Sequence, residues 1–138
     1  MLISASSLLV VLLLIGQTFA LIDYESAVAL GLQESVEEIT NVGIAFAKGF
    51  AFGDTLFYIP LLLLGIVGLL KRMKWGLYCM IGSLAISLYW PTVHLYTIYN
   101  ERNAIVLNPD KYVSFSVLLP LIVLYGLWGM WYLYNRDP

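Results

Sequence analysis

His94 is the only histidine of the chain. It stands in a row of side chains that hydrogen-bond or titrate: Ser83, Ser87, Trp90, His94, Thr97 and Glu101. The steps between them alternate four and three residues, which keeps all six on one face of a helix. Histidine titrates nearest neutral pH, so His94 suits a ligand contact or a proton-sensitive switch. Its plainer use is a structural hydrogen bond to a tyrosine or to a carbonyl freed by proline. Asp54 is the second titratable candidate. The run Gly53-Asp54-Thr55 opens an apolar stretch, the pattern of a helix N-cap. Tyr58 lies one turn beyond Asp54 on the same face. Asp54, Tyr58, Trp90, His94 and Thr97 are therefore the expected ligand-binding set.

Recognisable reaction chemistry is not signalled. The chain has no G-x-S-x-G, P-loop, H-E-x-x-H or C-x-x-C pattern. Cys79 is the single cysteine, so neither an intrachain disulfide nor a Cys/His metal cluster can form. No catalytic residue, metal or cofactor is expected. The one reaction these side chains would support is proton transfer on a lipid, with His94 and either Asp54 or Glu101 as acid and base.

The elements that carry these residues follow from composition. The chain has 138 residues, 61% hydrophobic and 12% charged; a soluble domain carries about 25% charged residues. Its net charge of −2, with no basic patch, argues against a nucleic-acid partner. Apolar runs near 2–22, 50–70, 75–99 and 112–134 are each close to the roughly 20 residues that cross a bilayer. They are continuous rather than alternating, so helices are expected and a β-barrel is not. The expected fold is an all-α integral membrane protein, a four-transmembrane-helix bundle forming a single membrane domain over 1–138. Thr18 and Ala20 also resemble a signal-peptide cleavage pattern. No Lys or Arg precedes the first apolar run, and it exceeds a signal core of about 7–15 residues, so it is read as a retained span.

Lys71, Arg72 and Lys74 fill the tight turn between the second and third runs and act as topology anchors. Positive residues near span ends stay cytoplasmic. Both termini are then cytoplasmic, which Arg136 supports, and the acidic 23–49 segment is extracytoplasmic. Trp75, Tyr78, Trp131, Tyr132 and Tyr134 are read as the inner aromatic belt, with Tyr96, Tyr99 and Tyr112 as the outer one. Val28, Leu32, Val36, Ile39 and Gly43 recur at helical spacing, with Glu25, Glu34, Glu37 and Glu38 largely off that face. This predicts an extra amphipathic helix over about 24–47 that caps the bundle. The sequence GIAFAKGFAFGD predicts a break before the second span.

Pro60, Pro91 and Pro120 lie at matching depths, about 9–12 Å below the outer interface. Each removes a backbone donor; three helix kinks at one level would splay the outer halves into a vestibule. Gly65 with Gly68, and Gly126 with Gly129, would permit close helix contact. The function expected is binding or transport of a small apolar or amphipathic ligand in an outer aromatic and polar pocket. The alternatives are a non-catalytic accessory subunit of a larger membrane complex, and the lipid-modifying enzyme described above. Expected partners are membrane lipids, such a ligand, and partner membrane subunits or further copies of the chain.

Overall fold

Among residues 1–135, which the computed structural model describes, the chain is helical with no strand. Arg136 lies outside the described residues. Four helices are long and apolar enough to cross a membrane: α1 (Leu2–Ile22), α3 (Val36–Leu70), α4 (Lys74–Asn100) and α5 (Pro109–Tyr134). A short helix, α2 (Tyr24–Ala29), stands between the first two. Asp23 ends α1 by leaving helical geometry at φ −142°, and its carboxylate accepts from the Ser26 N–H at 3.0 Å and the Ser26 hydroxyl at 2.6 Å. One residue thus terminates one helix and caps the next. These bonds hold the Asp23 carboxyl below its usual range. α2 stops at Gly31, whose φ of +72° suits a residue without Cβ. The Leu32 N–H returns to the Ala27 carbonyl and the Gly31 N–H to that of Val28, the paired closure of a Schellman motif.

Two expectations fail between α1 and α3. There is no single helix over 24–47, and the glycine-rich stretch before Asp54 does not break. After α2 and a turn, α3 begins at Val36, is interrupted at Thr40 (φ 65°, ψ 170°) and then runs on to Leu70. The reason is packing and cooperativity. Ile44 and Ala47 pack against Ala20, Tyr24 and Ala27, which holds the stretch against α1 and α2. A helix already propagating gains one hydrogen bond per residue; glycine costs it only about 1 kcal/mol each. The second apolar helix is therefore longer than the expected 50–70.

α3 packs on α4, α4 on α5, and α1 on α3. One end of the bundle, the turn end, carries the tight connection from Lys71 to Met73. Arg72 takes a left-handed φ of 53° there, and the Met73 N–H returns to the Gly68 carbonyl at 2.8 Å. Glycines bring α3 and α4 together behind it, Gly65 against the Met80 backbone and Gly68 against Gly76. Gly126 and Gly129 seat Leu84 and Leu88 of α4 in the same way. Both glycine pairs read from the sequence are thus at close contacts. Leu62, Met80 and Leu84 are fully buried between the helices, joined by Leu2, Leu9, Val10 and Leu13 of α1. Ser6 ties α1 to α5 through the Tyr125 hydroxyl at 2.7 Å.

The opposite end, the cap end, is closed by residues 33–38 lying on the α4–α5 loop. Glu38 is buried there, and its carboxylate accepts from four donors. These are the Ser35 N–H, the Lys111 ammonium at 2.6 Å, and the N–H and side-chain amide of Asn108. Lys111 also donates to the Gln33 carbonyl, and the Val106 N–H to that of Glu38. Ile39 packs beside Ile98, Leu107 and Leu119 below this clasp.

Two outcomes follow from this packing. A Cβ on Gly68 would lie 2.2 Å from the Gly76 Cα, and backbone cannot swing aside as a side chain can. Gly68→Ala is expected to cost about 1–3 kcal/mol through overpacking, read as a lower melting temperature in detergent. An unchanged transition would contradict the α3–α4 contact. Lys111→Met strands the buried Glu38 carboxylate and is expected to cost about 3 kcal/mol. Glu38→Gln combined with Lys111→Met should be milder than the two single losses added together; strict additivity would show that the ion pair carries no coupling.

Candidate functional site

Asp54 and Tyr58 bound a π-helical turn of α3. α1 carries a second such turn, Leu14–Thr18, and the two pack against each other. The Thr18 and Thr55 hydroxyls meet across this contact at 3.0 Å, and the Gln33 side-chain amide donates to the Gly16 carbonyl at 2.8 Å. A π-turn holds one residue more per hydrogen-bonded loop than an α-helix and recurs at functional positions. Pro60, which has no N–H, follows the turn one residue later, after Ile59. Asp54 is not an N-cap: its φ and ψ are helical, and helix continues on both sides. Pro91 and Pro120 lie inside α4 and α5, which run on past them without interruption.

The six-residue stripe of α4 divides. Ser83 and Ser87 are fully buried and Trp90 is half-buried, whereas neighbouring Tyr89 is exposed. The Ser87 hydroxyl donates to the Ser83 carbonyl at 3.0 Å, so the Tyr58 hydroxyl is the donor in its 2.5 Å contact with Ser87. Trp90 lies next to Tyr58, yet its buried indole N–H has no hydrogen-bond partner of acceptable geometry. Asp54 also acts on Tyr58; it is 8% exposed, and its carboxylate accepts no hydrogen bond from any described residue. Two buried polar groups, the indole N–H of α4 and a carboxyl of α3, are therefore without hydrogen-bond partners among the described residues. Each is costly in an apolar interior.

His94 stands one turn beyond Trp90 and meets aromatic rings edge-on, Trp90 at 6.3 Å and Phe115 at 5.5 Å. The charged group it feels is Glu34 of the cap, itself buried. Among the described residues His94 makes no hydrogen bond or ion pair with Asp54 or Glu101. Glu101 is exposed beside Asn100, and the Thr97 hydroxyl is committed to the Val93 carbonyl of its own helix. The structure thus packs Trp90 against the cluster that holds Tyr58, leaves Asp54 within electrostatic range of Tyr58, sets His94 one turn beyond Trp90, and leaves Thr97 and Glu101 aside. Local sequence signals missed Glu34 and Gln33, because their positions depend on the cap folding back over α1 and α4.

The cap also shapes its own electrostatics. Tyr24 donates to the Glu34 carbonyl at 3.0 Å. Burial, with the Glu34 and Glu38 carboxylates adding to it, pushes the Tyr24 phenol up to about 12. Lys48 sits 5.2 Å above the centre of the Tyr24 ring. The belt residues divide in a similar way. Trp75, Tyr78, Tyr96, Tyr99, Trp131 and Tyr134 are exposed, but Tyr132 stacks on Trp128 and Tyr112 donates to the Ile105 carbonyl.

An open groove of about 470 Å³ runs between α4 and α5 at the cap end, lined by Leu95, Tyr96, Tyr99, Asn100, Ser116 and Pro120. None of the five expected pocket residues lines it. No group of three or more His, Cys, Asp or Glu is gathered as a metal would require among the described residues. Comparison with protein-family models, curated proteins and solved structures finds no match.

Proposed function

We propose that the chain is a multi-pass integral membrane protein that binds, or carries, a small amphipathic ligand at the Asp54–Tyr58–Trp90 layer. Lys71, Arg72 and Lys74 place the turn end in the cytoplasm under the positive-inside rule, which puts the acidic cap outside and both termini inside. Asp54 lies 17 residues from Lys71, about 25 Å along the helix. In a hydrocarbon core about 30 Å thick, that is within the outer leaflet. The observation that carries this reading is the pair of buried polar groups without partners among the described residues, the Trp90 N–H and the Asp54 carboxyl. An ionisable residue held at membrane depth without a partner marks a ligand or ion path.

Gly49 and Gly53 support a second reading, as a subunit of a larger membrane assembly. They are spaced as in GxxxG, with open space where each Cβ would be. Val42, Phe46, Phe50 and Phe57 are exposed on the same stretch of helix. Native mass measurement after gentle detergent extraction separates the two readings, because a monomer argues against the subunit.

Binding is tested with the purified full chain and 1-dodecanol, an apolar tail with one hydroxyl. Saturable binding is expected. Trp90→Phe keeps the ring and removes the donor, and should weaken binding about fivefold, the loss of one modest hydrogen bond. Absence of saturable binding, or equal affinity in the variant, would reject this layer as the site.

A further inference from the structure

We propose that residues 32–39 form a lid over the cap ends of α4 and α5, hinged at Gly31 and Thr40 and opened by release of the Glu38 clasp. This goes beyond the ligand-binding reading and does not depend on it.

The segment is inverted in polarity. Gln33, Glu34 and Glu38 are buried, whereas Leu32 and Val36 are 38% and 40% exposed. Ile39 is the apolar side chain it sets against the interior, on Ile98, Leu107 and Leu119. Its other holds are polar. The Gln33 amide donates to the Gly16 carbonyl, Tyr24 to the Glu34 carbonyl, and Lys111 to the Gln33 carbonyl. On opening, such bonds are exchanged for bonds to water, so their net hold is modest. Segments with few buried apolar contacts are the ones that open locally, ahead of the rest of a fold.

Both ends of the segment have positive φ. Gly31, at +72°, adopts it without cost. Thr40, at φ 65° and ψ 170°, occupies a region that is essentially reserved for glycine, and it is β-branched. Strain of this kind persists only where the surroundings enforce it. Here the clasp enforces it. Two residues before Thr40, the Glu38 carboxylate is fixed by Asn108 and Lys111, and its carbonyl accepts from Val106. Helix stands on either side of Thr40, and Val36, Ile39 and Gly43 keep helical spacing across it. The local preference is therefore an unbroken helix. In the docked state the clasp is made and Thr40 is strained. In the released state the clasp is lost and α3 runs straight from Val36. One element with two such discrete arrangements is what a switch requires.

The lid has something to cover. Trp90 and Phe115 pack against the same buried cluster as Ile39. His94 meets both rings edge-on, at 6.3 and 5.5 Å. Withdrawing Ile39 uncovers this aromatic space from the cap end.

Two loop amides report on the lid directly. The Val106 N–H donates to the Glu38 carbonyl and the Asn108 N–H to the Glu38 carboxylate, each at 3.1 Å. Their hydrogen exchange in the purified full chain should be more than tenfold faster than that of buried Leu84 in α4. Lys111→Met should speed it further. Thr40→Gly relieves the strain and weakens the helical alternative, and should slow it about tenfold. His94, the single histidine, supplies a second readout. Its modification by diethyl pyrocarbonate should quicken in Lys111→Met and slow in Thr40→Gly. Loop amides that exchange no faster than Leu84 would show that the segment opens only with the whole bundle, and the lid falls. Faster exchange in Thr40→Gly would remove Thr40 as the strained hinge, even if Lys111→Met does not fold. Unchanged His94 reactivity alongside altered amide exchange would refute the cover over the aromatic space.

Discussion

A carboxylate withdrawn from water must be met by donors, and the cap end of this bundle is organised around how Glu38 meets that demand. Its four donors come from two places distant in sequence, Ser35 on its own turn and Asn108 and Lys111 across the α4–α5 loop. The clasp fixes residues 33–38 against α5. With that segment fixed, Gln33 reaches the π-turn of α1, Tyr24 reaches the Glu34 carbonyl, and Glu34 comes within electrostatic range of His94. Without it the cap would be a loop between two helices, because α2 is too short to hold itself in place.

The turn end is held by a different force. There the helices meet through bare glycine backbones and fully buried Leu62, Met80 and Leu84, and the polar groups present are satisfied within the layer. Ser6 and Ser87 show the same device. Each accepts from a tyrosine on another helix while spending its own proton on a carbonyl four residues back. Such closed pairs add cross-helix connections without leaving a group stranded. The unpaired groups are found nearer the cap, so satisfied and unsatisfied polarity are separated along the bundle axis.

How far the sequence disclosed this depends on the range of each interaction. Apolar runs and glycine pairs are local patterns, and they located α4, α5 and the helix contacts at the turn end. Spacing alone identified Ser83, Ser87 and Trp90 as facing inward, because that face is set by helical periodicity. It failed for Thr97 and Glu101, where the same face reaches the helix end: Thr97 is half-buried with its hydroxyl spent on Val93, and Glu101 is exposed. Asp54 was misread for a similar reason: N-cap preference is a statement about helix starts, and packing of Ile44 and Ala47 had moved the start of α3 upstream. The Glu38–Lys111 pair spans 73 positions, beyond any local signal. Nothing within residues 14–18 or 54–58 themselves announces a π-turn.

Those two π-turns have a geometric effect larger than their length. One surplus residue rotates everything after it by about 100° relative to an uninterrupted helix. α1 and α3 therefore each consist of two segments out of phase with one another, and a helical wheel drawn through either would mix its faces. The slips occur where the helices touch, at Thr18 and Thr55. A slip in one helix alone would bring the wrong side chains to the seam beyond it. Because the neighbour is offset at the same level, the two segments near the cap and the two near the turn each keep their own matched surface, as meshed gears do when both skip a tooth together.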